Sequence, residues 1–241
     1  MEVIIENTYE AMSKKAAADL LAVLQSLDKP LICTASGAST AGLYKELVHL
    51  VQASEVDTST WHFVGLDEWK GMDGSDEGSC RNQLNQQLFN PLSAVPQPIC
   101  FFDGRAKDIV TECQKVEAFI QQFERIDVAI VGIGVNGHIG MNEPGTSVSL
   151  RSHVASIHES TQQIGQKFFK EPRLLDTALT LGLATLLEAK YLILLASGNS
   201  KAESVYEMLH APQSEEMPAT LIRDHTNLMV YLEKEAAKNL T

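Results

Sequence analysis

The chain has 241 residues, 44% of them hydrophobic, which is enough apolar material for one large buried core and too much for a disordered polymer. Its 19 Lys and Arg stand against 31 Asp and Glu, a formal net charge of -12. That field repels nucleic-acid phosphates and anionic lipid, so neither nucleic acid nor membrane is expected as a partner, whereas a small anionic ligand needs only a few local donors.

In chain order, residues 9–26 are rich in Ala, Leu and Lys and predict a helix. The run 31–36 (LICTAS) predicts a buried strand, and 41–52, with Leu43, Leu47 and Leu50 at helical spacing, a second helix. Strands follow at 61–66 (WHFVGL), 126–134 (IDVAIVGIG), 191–197 (YLILLAS) and 227–231 (NLMVY), with helices at 108–123, 174–187 and 201–209. The apolar runs are continuous rather than alternating, as in strands covered on both faces. Alternation of such strands with helices predicts an α/β fold: a single-domain open, mostly parallel twisted sheet with helices on both faces. No repeat, low-complexity tract or linker divides residues 1–241. Ligands of such sheets bind beyond the carboxyl ends of the strands, and the unusual residues stand there.

Ser36, Gly37, Ala38, Ser39 and Thr40 follow a strand and open a helix. Small residues let a ligand approach the backbone, and a helix N-terminus offers unpaired N–H donors, so the turn is a candidate phosphate cradle; the alternative is an ordinary Ser-capped turn. It is not a P-loop, since no G-x-x-x-x-G-K-[ST] is present. Asp67 and Glu68 follow the strand that ends at Gly65; one of them, desolvated, can take a proton from carbon, and the alternative is a solvated acid pair. Residues 132–145 (GIGVNGHIGMNEPG) carry a literal G-x-G-x-x-G. Gly140, Pro144 and Gly145 interrupt the helix that a dinucleotide turn requires, so a nicotinamide cofactor is not expected. The loop instead presents Asn136, His138 and Glu143, in which a carboxylate accepting the imidazole N–H would fix its tautomer and support its charged form. Lys201 begins a helix after Ser197-Gly198, where a cation is unfavourable unless an anion is bound. Lys167 is an isolated cation before two aromatics.

His49, His62, His153, His158, His210 and His225 form no i, i+4 pair, so no metal is expected, and no G-x-S-x-G elbow marks a hydrolase triad. The cysteines, Cys33, Cys80, Cys100 and Cys113, contain no C-x-x-C pair and read as reduced, partly buried thiols. With no signal peptide and no membrane-length apolar run, a cytoplasmic protein is expected.

These segments resemble the glucosamine-6-phosphate deaminase/isomerase family, which shares a superfamily with 6-phosphogluconolactonase. The most specific part is G-x-G-x-[DN]-G-H-I-x-x-N-E-P, here Gly132 to Pro144; Asp67-Glu68-Trp69, 178–182 (ALTLG) and Ser200-Lys201-Ala202 support it. The resemblance spans nearly the whole chain and implies a Rossmann-like fold, no cofactor and a small phosphorylated amino sugar as partner. It implies that glucosamine 6-phosphate plus water becomes fructose 6-phosphate plus ammonium. His138 would open the ring, Glu143 would orient and charge His138, and Asp67 would carry a proton between C1 and C2 through an enolamine. Glu68 would be a neighbour without an assigned role. Phosphate would sit on the turn Ser36 to Thr40 with Lys167 and Lys201.

The chain departs from its relatives at three places. Asn136 stands where many carry an aspartate; an amide can hold an imidazole N–H but cannot neutralise an imidazolium. Lys167 stands where longer relatives carry an arginine, a point charge in place of a bidentate fork. His153 and Ala155 replace basic effector ligands, and the C-terminal extension of the regulated members is lacking, so an unregulated monomer or small homo-oligomer is expected. Three rivals stand beside this reading. The galactosamine 6-phosphate reaction differs only at C4, which residues 77–80 could help to read. A 6-phosphogluconolactonase usually reads D-E-R and G-H-T-A-S-L-F-P-G where this chain has Trp69 and Ile139. A non-catalytic sugar-phosphate sensor would not need Asp67, His138 and Glu143 together. Residues 168–174, interrupted by Pro172, are the candidate cover.

Overall fold

Apolar runs without alternation demand cover on both faces, and all five become strands of one parallel sheet. The computed structural model describes residues 1–92 and 99–240. In chain order the first half comprises β1 (Glu2–Glu6), α1 (Tyr9–Gln25), β2 (Leu31–Thr34), α2 (Ala38–Ala53), β3 (His62–Gly65), β4 (Asp67–Trp69), α3 (Cys80–Leu84) with a π turn behind it (Asn85–Phe89), and α4 (Ile109–Gln121). The second half comprises β5 (Val128–Gly132), β6 (His153–Ser156), α5 (Glu159–Gly165), β7 (Thr177–Thr180), α6 (Leu183–Leu187), β8 (Tyr191–Ala196), α7 (Ala202–His210) and β9 (Leu228–Glu233).

The large sheet has the order β1-β9-β8-β5-β2-β3, every pair parallel. Successive strand residues serve opposite faces. Ile32, Val128, Ile130 and Ile193 pack with Leu20 of α1 and Leu43, Tyr44 and Leu47 of α2. Cys33, Ala129, Val131 and Leu194 pack with Val116 and Ile120 of α4 and Val205 and Met208 of α7. From β2 the chain winds outward to β3, and from β5 it winds the other way through β8 to β9. The winding therefore reverses between β2 and β5, where the connections after the two strands part and leave a crevice.

A second, three-stranded antiparallel sheet, β4-β7-β6, stands against this edge. It corrects the expectation of a helix over 174–187. Thr177–Thr180 is a strand, and a short helix forms only at Leu183–Leu187. Gly182 divides them, where a Cβ would collide with the carbonyl oxygens of Leu150 and Arg151. The other four expected helices form, with α2 beginning three residues early at Ala38. All four cysteines are free, Cys33, Cys80 and Cys113 buried. Among the described residues no helix is long and apolar enough to cross a membrane.

Candidate active site

At the crevice between β2 and β5 lies a cavity of about 470 Å³. One wall is the turn 35–40. Gly37 has φ +118°, a conformation open to glycine, and α2 starts behind it with no side-chain cap. The first-turn N–H groups are therefore left for a ligand. The turn is fixed from behind: Thr40 Oγ1 donates to the carbonyls of Ala35 (3.0 Å) and Gly37 (3.2 Å), and the Tyr44 hydroxyl also donates to Ala35 (2.8 Å). Tyr9 donates to the Ala38 carbonyl (2.7 Å) and accepts the Gly42 N–H (2.6 Å). What Thr40 can offer a ligand is thus its backbone, whereas Ser39 faces Ser197 across the crevice, 3.2 Å between hydroxyls.

The second wall follows β8. Gly198, φ +83°, anchors its N–H on Glu233 Oε2 (3.0 Å), and a 3-10 turn (Asn199–Lys201) leads into α7. Lys167 lies in the 3-10 turn Gln166–Phe168 that ends α5. Both lysines line the cavity with Ser36 to Thr40. Burial, and then the like charge of Lys167, push Lys201 down to about 8, and no carboxylate offsets them. Two cations and an uncapped helix N-terminus converging on one space form an anion site.

The third wall is β4. Asp67 lines the cavity, yet is only 8% exposed. Burial pushes it up to about 6 against a hydrogen bond from the Cys80 thiol. Glu68, next along the strand, points away from the cavity. Its Oε1 accepts the N–H groups of Trp69 (2.8 Å) and Cys80 (3.1 Å), and its Oε2 that of Arg81 (2.9 Å).

The fourth wall is the glycine-rich loop after β5. It folds as tight turns, with Gly134 N–H donating to the His138 carbonyl (2.8 Å) and Gly137 at φ +80°. Asn142, fully buried, ties it down by donating to the carbonyls of Ile139 and Leu181, both at 2.8 Å. His138 lines the cavity. Its Nδ1 donates to Asn136 Oδ1 (2.8 Å), and Asn136 Nδ2 donates to Glu143 Oε2 (2.6 Å). The direct imidazole–carboxylate bond expected from sequence is replaced by this relay, with Glu143 Oε2 3.8 Å from Nδ1. Burial lowers the His138 pKa further than the Glu143 charge raises it, and Lys201 lowers it more. The imidazole is therefore neutral near pH 7, with the lone pair of Nε2 free. Thr161 Oγ1, 3.3 Å from Nδ1, steadies the ring from α5, a role that no pattern in the sequence signals.

Phe168, of the expected cover, lines the cavity. That segment is braced by Gln166, whose amide pairs with the backbone of Arg173. It is also braced by the pair Lys170–Glu77 at 2.9 Å. Residues 77–80 thus abut the cover, and Cys80 and Gln83 reach the cavity from α3. Among the described residues no three His, Cys, Asp or Glu gather as metal ligands.

Comparison with known proteins places this geometry. The model of the family described as glucosamine-6-phosphate isomerases/6-phosphogluconolactonase matches residues 6–231. A glucosamine-6-phosphate deaminase of Alkaliphilus oremlandii is 36% identical, with all of each chain covered. A monomeric glucosamine-6-phosphate deaminase of solved structure superposes with a TM-score of 0.95 at 33% identity, over 99% of each chain. The 6-phosphogluconolactonase of Trypanosoma brucei, at 19% identity and a TM-score of 0.76 over 100% and 98% of the two chains, shares the fold. The chain belongs to the glucosamine-6-phosphate isomerase/6-phosphogluconolactonase family.

Proposed function

We propose that the chain is a glucosamine-6-phosphate deaminase, and that its 241 residues act as one catalytic domain. The observation that carries this reading is the convergence on one cavity of a buried carboxylate, a neutral imidazole and an anion site, those of Asp67, His138 and Lys201. The full-length relatives named glucosamine-6-phosphate deaminase support it.

Phosphate rests on the N–H groups of Ser36, Gly37, Ala38, Ser39 and Thr40 and on the hydroxyls of Ser36 and Ser39, with Lys167 and Lys201 supplying charge. That contact leaves the reacting end of the sugar toward Asp67 and His138. Nε2 of His138 takes the proton of the C1 hydroxyl and returns it to the ring oxygen as the C1–O5 bond breaks, giving the open chain. The neutral state enforced by burial is the state this first transfer needs. Asn136 holds the tautomer through Nδ1, and Glu143 fixes the amide of Asn136. Asp67, ionised above pH 6, removes the proton from C2 while the carbonyl oxygen O1 takes one from the substrate's ammonium group, giving the enolamine, and then delivers its proton to C1, leaving an iminium at C2. Water then adds at C2 and ammonia leaves, protonated, from the same carbon. No cofactor enters these steps, and the enzyme acts in the cytoplasm as a monomer or small homo-oligomer; the TM-score of 0.95 to a monomeric relative favours the monomer.

Ammonium release from purified protein tests the reading, with glucosamine 6-phosphate and galactosamine 6-phosphate offered separately and 6-phosphogluconolactone hydrolysis run beside them. Ammonium from the glucosamine sugar is expected. Ammonium from the galactosamine sugar alone would keep the chemistry and change the epimer, and lactone hydrolysis without ammonium would overturn the proposal.

A further inference from the structure

His138 and Glu143 stand on a loop whose glycines give it little packing of its own. Two stretches of that loop, Gly137 before His138 and residues 145–148 beyond Glu143, are held from outside by one segment. It is the turn after α7, residues 214–220, and it does not line the cavity. The Ala219 N–H donates to the Gly137 carbonyl (2.9 Å), and the Met217 side chain lies so close over Gly137 that a Cβ there would collide with its sulfur. The Glu215 carbonyl accepts the Gly145 N–H (2.9 Å). Glu215 Oε1 accepts both the Ser147 hydroxyl (3.0 Å) and the Val148 N–H (2.8 Å). The Thr146 N–H donates to the Glu143 carbonyl (2.9 Å), so a grip on 145–148 also sets Glu143. The turn is itself stiff. Thr220 Oγ1 accepts the Ser214 N–H (2.9 Å) and donates to the Met217 carbonyl (2.7 Å), and the 3-10 turn Pro218–Thr220 is buried.

We propose that Glu215 is a positioning residue for His138: it clamps residues 145–148 while Ala219 and Met217 clamp Gly137, and the turn thereby sets where the imidazole and its Asn136–Glu143 relay stand relative to the sugar. The inference rests on the role given to His138 under the proposed function. The relay runs through hydrogen bonds of 2.8 Å and 2.6 Å, which tolerate little drift of the backbone that carries them, and proton transfer to a bound sugar tolerates less. β5 fixes only the entry to the loop. The turn 214–220 fixes the far side of Glu143 and the residue next to His138, so the loop cannot slide past the substrate. Both side-chain bonds fall on a single oxygen of Glu215. What the loop draws from it is an acceptor in a fixed place, which an amide supplies equally well through its own Oε1. A shortened carboxylate keeps the charge and loses the reach.

Steady-state kinetics with glucosamine 6-phosphate, run beside calorimetric binding of inorganic phosphate, test the clamp. Glu215→Ala is expected to lower kcat about tenfold, the cost of a misplaced base. Its affinity for inorganic phosphate is expected to stay within about twofold of the parent, because the phosphate turn and both lysines belong to other walls. Glu215→Gln keeps the acceptor and is expected to hold kcat within about twofold of the parent, whereas Glu215→Asp falls with the Ala variant. A Glu215→Ala protein that melts earlier but turns over at the parental kcat would make the residue merely structural and overturn the inference. Loss of kcat and phosphate affinity together would overturn it as well, and so would a Gln variant as slow as the Ala one. If the Ala variant does not fold, the Gln and Asp variants carry the comparison: equal kcat in the two refutes the clamp. His138→Gln separates the two failures. Retained turnover there sinks the catalytic reading, whereas lost turnover there with parental kcat in Glu215→Ala sinks only this inference.

Discussion

Lys201 is the residue at which binding and stability oppose each other most directly. Its ammonium is largely buried beside Lys167, and its pKa falls from 10.5 to about 8. Below pH 8 the lysine is charged in both folded and unfolded chains, and folding bears the cost; above 10.5 it is neutral in both, and the cost is gone. Stability should therefore rise as pH rises from 8 to 10.5. At about 1.4 kcal/mol per pH unit the fall corresponds to roughly 3 kcal/mol, and the part of the side chain in contact with solvent reduces this to roughly 2. Lys201→Met keeps the packing length and removes the charge. At pH 7, in buffer free of phosphate and sulfate, the variant is expected to melt about 4–8 °C above the parent, for a chain of this size. Scanning calorimetry at pH 7 and pH 10 reads both the gain and its disappearance at high pH. Substrate or inorganic phosphate should raise the melting point of the parent and leave the variant nearly unmoved. A variant that melts at or below the parent at pH 7 would refute the reasoning, because Lys201 would then have a compensating partner.

Three further outcomes follow from the same geometry. Burial raises Asp67 to about 6, so between pH 4 and 6 the folded chain holds a proton that the unfolded chain has lost, and stability falls as pH rises; Asp67→Asn should flatten that part of the melting-temperature profile while abolishing ammonium release. Asn136→Asp puts a carboxylate where an amide oxygen now meets His138 Nδ1 at 2.8 Å, and NMR titration should find the imidazole protonating at higher pH than in the parent. Gly182→Ala drives a Cβ into the carbonyls of Leu150 and Arg151, whereas one at Gly132 meets only Leu195 O at 3.9 Å; urea unfolding should show a loss of about 1–3 kcal/mol for the first and under about 1 kcal/mol for the second.

The large sheet was legible because parallel strands covered on both faces need apolar residues at every position, and runs such as VAIVG and YLILLA advertise that need. The candidate site was legible for a related reason: a reversal of winding puts the residues after β2 and β5 side by side, and those residues are unusual. The second sheet was not. Asp67–Trp69 is three residues long, too short for any period to show. Across 174–187 the leucines at 175, 179, 183 and 186 mimic a helical stripe, although only Leu179 lies in β7, where its neighbours Ala178 and Thr180 on the opposite face are buried as well. Thr161 and Gln83 escaped for another reason. They come to the cavity from α5 and α3, segments distant in sequence from the motifs, and carry no spacing signal of their own.

The element that the pattern misrepresents is also the one that fixes the distance between the two reactive walls. Thr180 lies opposite Asp67 in the β4–β7 pairing. Its hydroxyl accepts the Met141 N–H at 3.1 Å, and the next carbonyl, that of Leu181, holds Asn142 at 2.8 Å. The Leu181 N–H in turn donates to the Leu66 carbonyl at 2.9 Å, the residue before Asp67. One end of β7 therefore grips both the strand that carries Asp67 and the loop that carries His138. Each wall hangs from a different connection of the large sheet, and without this clamp their separation would depend on two independent loops. Catalytic geometry tolerates errors well under 1 Å, so the clamp must be rigid, fully hydrogen-bonded and buried. Those demands select a short apolar pair between two threonines, Thr-Ala-Leu-Thr, a choice that packs well and says little in sequence.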